Sequence, residues 1–137
     1  MQLRPLGQSG LLVTPLGFGA FKIGRNEKVK YPQPYDLPDD ATVERLLNGV
    51  LDAGINLIDT ADGYSLGDSE TIVGRALAAP GRRADTILAT KCYFPRGRDL
   101  NKRGGSRRWI VRACEESPRR LGTDYTDLYQ CHSPHPH

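Results

Sequence analysis

No apolar run in this chain approaches the roughly 20 residues that a membrane-crossing helix needs, and the N-terminus lacks the basic, then apolar, then small-residue order of a secretory signal. The expected location is therefore the cytoplasm, with no membrane partner. Cysteine is scarce and unpaired in pattern. Cys92, Cys114 and Cys131 are widely separated and make no Cys-x-x-Cys motif, which fits neither a disulfide framework nor a zinc ribbon. They read as reduced thiols. A strong excess of one charge is also missing: 19 Lys plus Arg against 16 Asp plus Glu give a formal net charge of +3, too weak to argue for nucleic acid. The stretch "PRGRDLNKRGGSRR" could bind phosphate through Arg96, Arg98, Lys102, Arg103, Arg107 and Arg108. No aromatic residues interleave it, so a charged, solvated loop is the simpler reading.

What is present suits one folded domain over residues 1–137, with 38% hydrophobic and 26% charged residues. "MQLRPLGQSGLLVTPLGFG" predicts a small hairpin and then a buried strand near Leu16 to Gly19. A Pro-rich, charged loop follows. From Asp40, apolar residues at Val43, Leu46, Leu47, Val50 and Leu51 trace one face of a helix, capped by Asp39 or Asp40 and ended by Gly54. "INLID" is then a short strand. "SETIVGRALAA" carries Ile72, Val73, Ala76 and Leu77 on one helical face, with Ser69 a candidate cap and Asp68 and Glu70 favouring the positive helix end. "TILATK" is a third strand. In "SRRWIVRACEESPRRLG", Trp109, Ile110, Ala113 and Cys114 make another apolar face, and Pro118 predicts a kink or early end. "TDLYQC" is a fourth strand.

Strands alternating with amphipathic helices indicate an α/β fold with a helix-covered parallel sheet. In such a sheet the carboxyl ends of all strands share one edge, where active sites form. Gly19, Asp59, Lys91 and His132 end the four strands, and "GINLIDTADGYSLGDSE" puts Asp59, Asp62 and Tyr64 together just after one of them. A free Tyr, with a pKa of roughly 10, is a poor proton donor near neutrality unless a cation stabilises its phenolate. Lys91 can be that cation, Asp59 can keep it charged, and His132 can orient a substrate oxygen by a hydrogen bond. The set suits protonation of a carbonyl oxygen as hydride reaches its carbon, without a metal. Taken singly, each residue has a structural explanation: a turn cap, a loop aromatic, a solvated strand end, a hydrogen-bonded histidine.

"GINLIDTADGYSLGDSETIVGRAL" closely resembles the second-strand signature of the aldo-keto reductases, and "LGQSGLLVTPLGFGAFKIG", "ILATK", "NKRGGSRRWI" and "RLGTDYTDLYQCH" resemble their flanking segments. The resemblance implies a (β/α)8 TIM barrel, of which this chain supplies the N-terminal hairpin and about four βα units. It implies Tyr64 as general acid, Lys91 and Asp59 as the pair that tunes it, and His132 as the orienter of the carbonyl. The implied hydride donor is NADPH, or NADH, with Gly19, Ala20, Phe21 and Asp59 beside its nicotinamide end and Lys22 close by. A small aldehyde or ketone is the implied substrate. An open half barrel exposes two strand edges, so self-association or a complementing half barrel is the expected partner, and the isolated chain is expected to lack reductase activity. The rivals are a noncatalytic interaction module and a truncated remnant. Cys131, His132, His135 and His137 could chelate a metal, but a tail broken by Pro134 and Pro136 is the simpler reading.

Overall fold

The chain begins with a two-stranded antiparallel hairpin, β1 (Arg4–Pro5) and β2 (Leu12–Val13), seen in a computed structural model that describes residues 1–29, 32 and 34–134. Four parallel strands follow, hydrogen-bonded in chain order: β3 (Phe18–Gly19), β4 (Leu57–Asp59), β5 (Ile87–Cys92) and β6 (Leu128–Cys131). Helices α1 (Asp40–Asp52), α2 (Asp68–Leu77) and α3 (Arg107–Leu121) connect them. The alternation read from the sequence is therefore the one that forms. Register places Gly19 beside Asp59 and Lys91 beside Gln130, which brings the ends of neighbouring strands to one edge.

Local chemistry explains the boundaries. Pairing in β3 starts at Phe18, and Leu16 is 61% exposed rather than buried. The Thr14 hydroxyl donates to the Leu16 carbonyl (2.6 Å), a local turn that competes with strand pairing. Asn56 then fastens the hairpin to the sheet: its Oδ1 accepts from Thr14 N (2.8 Å), and its Nδ2 donates to Leu12 O (3.0 Å). Helix α1 is capped by Asp39, whose carboxylate accepts from Thr42 N (2.7 Å); that backbone hydrogen bond holds the carboxyl below its ordinary pKa. Its apolar stripe is narrower than expected. Val43 and Leu47 are buried and Leu51 packs against them, whereas Leu46 is 50% exposed because it lies about 100° round from the centre of that line.

Helix α3 runs past Pro118 without the early end that residue predicts, and stops at the expected Gly122. It is capped by Ser106, passes through Pro118 and ends at Leu121, with Gly122 left-handed (φ 64°). Pro118 removes the bond to the carbonyl of Cys114, an exposed residue, and only one turn of helix follows it. Downstream contacts anchor that turn: Ser117 and Leu121 are buried, and Arg120 pairs with Glu70 (2.5 Å). Where the helices pack on the sheet, Ile58 and Leu88 join Leu47, Ile72, Val73, Leu77 and Leu121 in the main core. Cys92, Trp109 and Ala113, with Tyr129, make a smaller one under α3.

Helices α2 and α3 meet at Gly74, where an added Cβ would collide with the backbone of Leu121. Gly in a helix interior costs roughly 0.5–1 kcal/mol relative to Ala, so its place here reflects that close approach. Gly74→Ala should therefore destabilise the chain by about 1–3 kcal/mol in urea unfolding. Gly49→Ala in α1, where an added Cβ meets nothing within 4 Å, should instead stabilise it by about 0.5–1 kcal/mol.

Candidate active site at the carboxyl edge of the sheet

Lys91, near the end of β5, is only 8% exposed and points its ammonium at three acceptors. Its Nζ lies 2.5 Å from Asp59 Oδ2 at the end of β4, 2.9 Å from the Thr60 carbonyl and 3.4 Å from Tyr64 Oη. An ammonium has three N–H bonds, so each proton has a destination. The same residue fixes the loop that carries Tyr64, because the Lys91 carbonyl accepts from Asp62 N (2.9 Å). Charge and scaffold thus meet at one residue.

Tyr64 opens a short 3-10 turn, Tyr64–Gly67, in which Ser65 and Leu66 have left-handed backbone. Its ring is held edge-on by Phe21 (centroids 5.1 Å apart) and by His132 (5.4 Å), and Lys91 Nζ is 5.1 Å from its centroid. His132 directly follows β6; its backbone N–H donates to the Cys92 carbonyl (2.9 Å), and its ring meets Phe94 at 4.7 Å. Burial, and then the neighbouring Lys91 charge, push the imidazole below its ordinary pKa, so it is neutral at pH 7 and keeps one N–H to donate. Its Nδ1 is buried without a hydrogen-bond partner. The four side chains read from the strand ends, Asp59, Tyr64, Lys91 and His132, are therefore neighbours in space.

Gly19 ends β3, and an added Cβ there would meet nothing within 4 Å, so space is open beside it. Ala20 is buried, and its carbonyl accepts from Ser69 Oγ (2.8 Å). Phe21 is 47% exposed. Lys22 lies over the Phe21 and Tyr35 rings, at 5.7 and 4.8 Å from their centroids. Ser69 is not the cap expected of it: Gly67 occupies the N-cap, and the Ser69 hydroxyl instead links Ala20 to Thr60 Oγ1 (2.9 Å). Among the described residues no three His, Cys, Asp or Glu side chains cluster as metal ligands; His135 and His137 lie outside the described residues. No helix of the described residues is long and apolar enough to cross a membrane.

Three features escape sequence pattern. Glu70 is fully buried, accepting from Thr90 Oγ1 (2.6 Å) as well as from Arg120 Nε. Its place on the Val73 and Leu77 face of α2 was the available signal, but its partner is 50 residues away. Arg96 leaves the solvated loop assigned to its neighbours and turns inward, donating to the Asp62 carbonyl. Burial lowers its pKa, with Arg120 adding like-charge repulsion. Asp62 itself is 1% exposed, and neither carboxyl oxygen meets a hydrogen-bond partner. Burial pushes its pKa up to about 7, with Glu70 adding to the rise and Arg96 and Arg120 opposing it.

Comparison with known proteins places the arrangement in context. The sequence profile described as "Aldo/keto reductase family" matches residues 15–137. The chain is 37% identical to the aldo-keto reductase YhdN of Bacillus subtilis over 136 residues, covering 99% of this chain and 39% of that protein. It is 36% identical to a probable voltage-gated potassium channel subunit beta of Oryza sativa subsp. japonica, covering 98% of this chain and 38% of that protein. Among solved structures, the holo form of an aldo-keto reductase from Bacillus halodurans matches with a TM-score of 0.75 and 41% identity, over 96% of this chain and 40% of that one. A putative aldo-keto reductase of Pseudomonas aeruginosa matches with a TM-score of 0.77 and 40% identity, over 96% and 47%. The chain thus spans about two fifths of the length of the curated relatives it matches.

The Asp62 carboxyl generates a pH prediction. An unfolded Asp titrates near 3.9, and the folded group holds its proton up to about pH 7, so the folded state binds more protons in that window. Stability should fall as pH rises from about 4 to about 7 and level off above. Asp62→Asn should flatten that slope, gaining roughly 2–4 kcal/mol relative to the parent between pH 4.5 and pH 8 in urea titrations.

Proposed function

The chain belongs to the aldo/keto reductase family, a family of oxidoreductases, and from that membership and the strand-end geometry we propose that its site reduces a small aldehyde or ketone with Tyr64 as general acid. The observation that carries this reading is the contact of Lys91 Nζ with both Asp59 Oδ2 and Tyr64 Oη. A cation held 3.4 Å from a phenol oxygen stabilises the phenolate left when the proton departs. The neutral His132 imidazole donates a hydrogen bond to the carbonyl oxygen and sets its direction, and Tyr64 Oη delivers the proton to that oxygen.

NADPH is the cofactor we assign, with NADH the alternative. The residues present fit its reactive end: the open space beside Gly19, the exposed Phe21 ring and the donor set of Tyr64, Lys91 and His132. When bound, the reduced nicotinamide supplies the hydride that completes the alcohol. Gly19, Ala20, Phe21 and Asp59 would hold that end. The Asp59 carboxylate is already committed to Lys91 through Oδ2, and its side chain remains 36% exposed.

A (β/α)8 barrel closes with eight strands, and β3 to β6 are four, with β3 and β6 as free edges among the described residues. We therefore assign residues 1–137 to the N-terminal part of a barrel domain that is inactive as an isolated monomer. Its partner is a complementing half barrel or a second copy. The location we assign is the cytoplasm. A second reading, a noncatalytic interaction module, is supported by the near-equal match to a protein named as a channel beta subunit.

The test is NADPH oxidation with a small aldehyde, assayed on the purified chain while light scattering reports its mass. The monomer should show no turnover. Any turnover should appear in an assembled state and fall about 10²- to 10⁴-fold in Tyr64→Phe. Steady turnover by a verified monomer, or turnover that survives Tyr64→Phe, would overturn the reading.

A further inference from the structure

Ser65 directly follows Tyr64 and adopts left-handed backbone (φ 49°, ψ 34°), as does Leu66 (φ 56°, ψ 34°). Such a conformation costs a non-glycine residue roughly 1–2 kcal/mol, so contacts elsewhere must hold the turn. They come from the segment after β3. Ser65 Oγ accepts from Arg25 N (3.1 Å) and lies within donating distance of the Ile23 carbonyl (3.2 Å) and the Arg25 carbonyl (3.3 Å). Between those two residues stands Gly24 (φ 123°), where an added Cβ would overlap Ser65 Oγ and Cβ. Arg25 Nε also pairs with Asp68 Oδ2 (2.9 Å), just past the turn.

This clamp faces the proposed reaction centre. Phe21, two residues before Ile23, is the ring that meets Tyr64 edge-on at 5.1 Å. The segment from Phe21 to Arg25 and the turn from Tyr64 to Asp68 thus meet at the two rings, at the Ser65 hydroxyl and at the Arg25–Asp68 ion pair. A buried tether, Ser69 Oγ to Ala20 O, joins the residues that flank these two segments.

We propose that Ser65 is a positioning residue: its hydroxyl clamps residues 23–25 to the Tyr64 turn and thereby holds the Tyr64 ring against Phe21 and within reach of Lys91. Its catalytic meaning rests on the carbonyl-reductase reading above; the clamp itself does not. The geometry also makes Gly24 and Ser65 a coupled pair, because the atoms a Gly24 Cβ would strike first are those of the Ser65 side chain.

The test is NMR of the isotope-labelled chain, following the Phe21–Tyr64 ring NOE and the exchange rate of the Arg25 amide, with unfolding monitored to confirm the fold. Ser65→Gly relieves the backbone penalty, so the variant should fold. It should nevertheless lose the NOE and exchange the Arg25 amide roughly fivefold faster, the change that one net hydrogen bond of about 1 kcal/mol produces. Gly24→Ala should lose the same NOE by displacing Ser65. In the double variant the overlap is gone while the strain of a Cβ at φ 123° remains, so Gly24→Ala should add less than it does alone, though not nothing. An intact NOE in Ser65→Gly, or strictly additive effects in the double variant, would overturn the clamp and leave the reductase reading standing. A confirmed clamp in a chain whose turnover survives Tyr64→Phe would remove the reductase reading alone.

Discussion

A lysine ammonium taken almost out of water is the constraint on which the rest of this edge depends. Stripping its hydration is costly unless the lost hydrogen bonds are replaced and a counter-charge is near. Asp59, the Thr60 carbonyl and Tyr64 Oη meet all three of its donors. Two of these are consecutive residues at the end of β4, and the third lies four residues further on. Satisfying the cation therefore dictates the path of the loop after β4, and the Lys91 carbonyl's bond from Asp62 N ties that loop a second time.

Helix α2 transmits this order to the rest of the molecule. Ser69 in its first turn bonds both Ala20 and Thr60, so the ends of β3 and β4 share one hydroxyl. Glu70 beside it reaches Thr90 on β5 and Arg120 on α3. Gly74, one turn on, lets the end of α3 approach to backbone contact. Seven of the ten residues of α2 are buried, including Ser69 and Glu70, so this helix behaves as an internal strut and not as an amphipathic cover. Its buried ion pair costs desolvation, and its role is to fix how two helices and a strand meet.

Much of this was legible in the chain, and the reason is periodicity. Helical stripes at Val43 and Leu47, at Val73 and Leu77, and at Trp109 and Ala113, separated by short apolar strands, specify the alternating order, and the parallel sheet then gathers Asp59, Lys91 and His132 at one edge. What pattern could not give were contacts fixed by tertiary approach. Leu46 matches the stripe of α1 yet is exposed; Pro118 should interrupt α3 yet lies within it, because Arg120 and Leu121 are anchored beyond it. Ser69 has the composition of a cap and serves as an internal bridge. Asp62 carries no local sign of burial, since its neighbours Asp59 and Gly63 suggest a polar loop. Arg96 sits in a basic stretch whose other members, apart from Lys102, are exposed, and only the structure turns it inward.

The central claim is that Asp59 and Lys91 act as one unit, each tolerable at this edge because of the other. The direct measurement is a double-mutant cycle on unfolding free energy with Asp59→Asn, Lys91→Met and both together. The account predicts that each single change is destabilising and that the double variant is more stable than their sum by about 1–3 kcal/mol, since removing either partner alone strands the other. Additive effects would contradict it, because they would mean that the 2.5 Å contact contributes no coupling and that Lys91 is held by something other than its carboxylate.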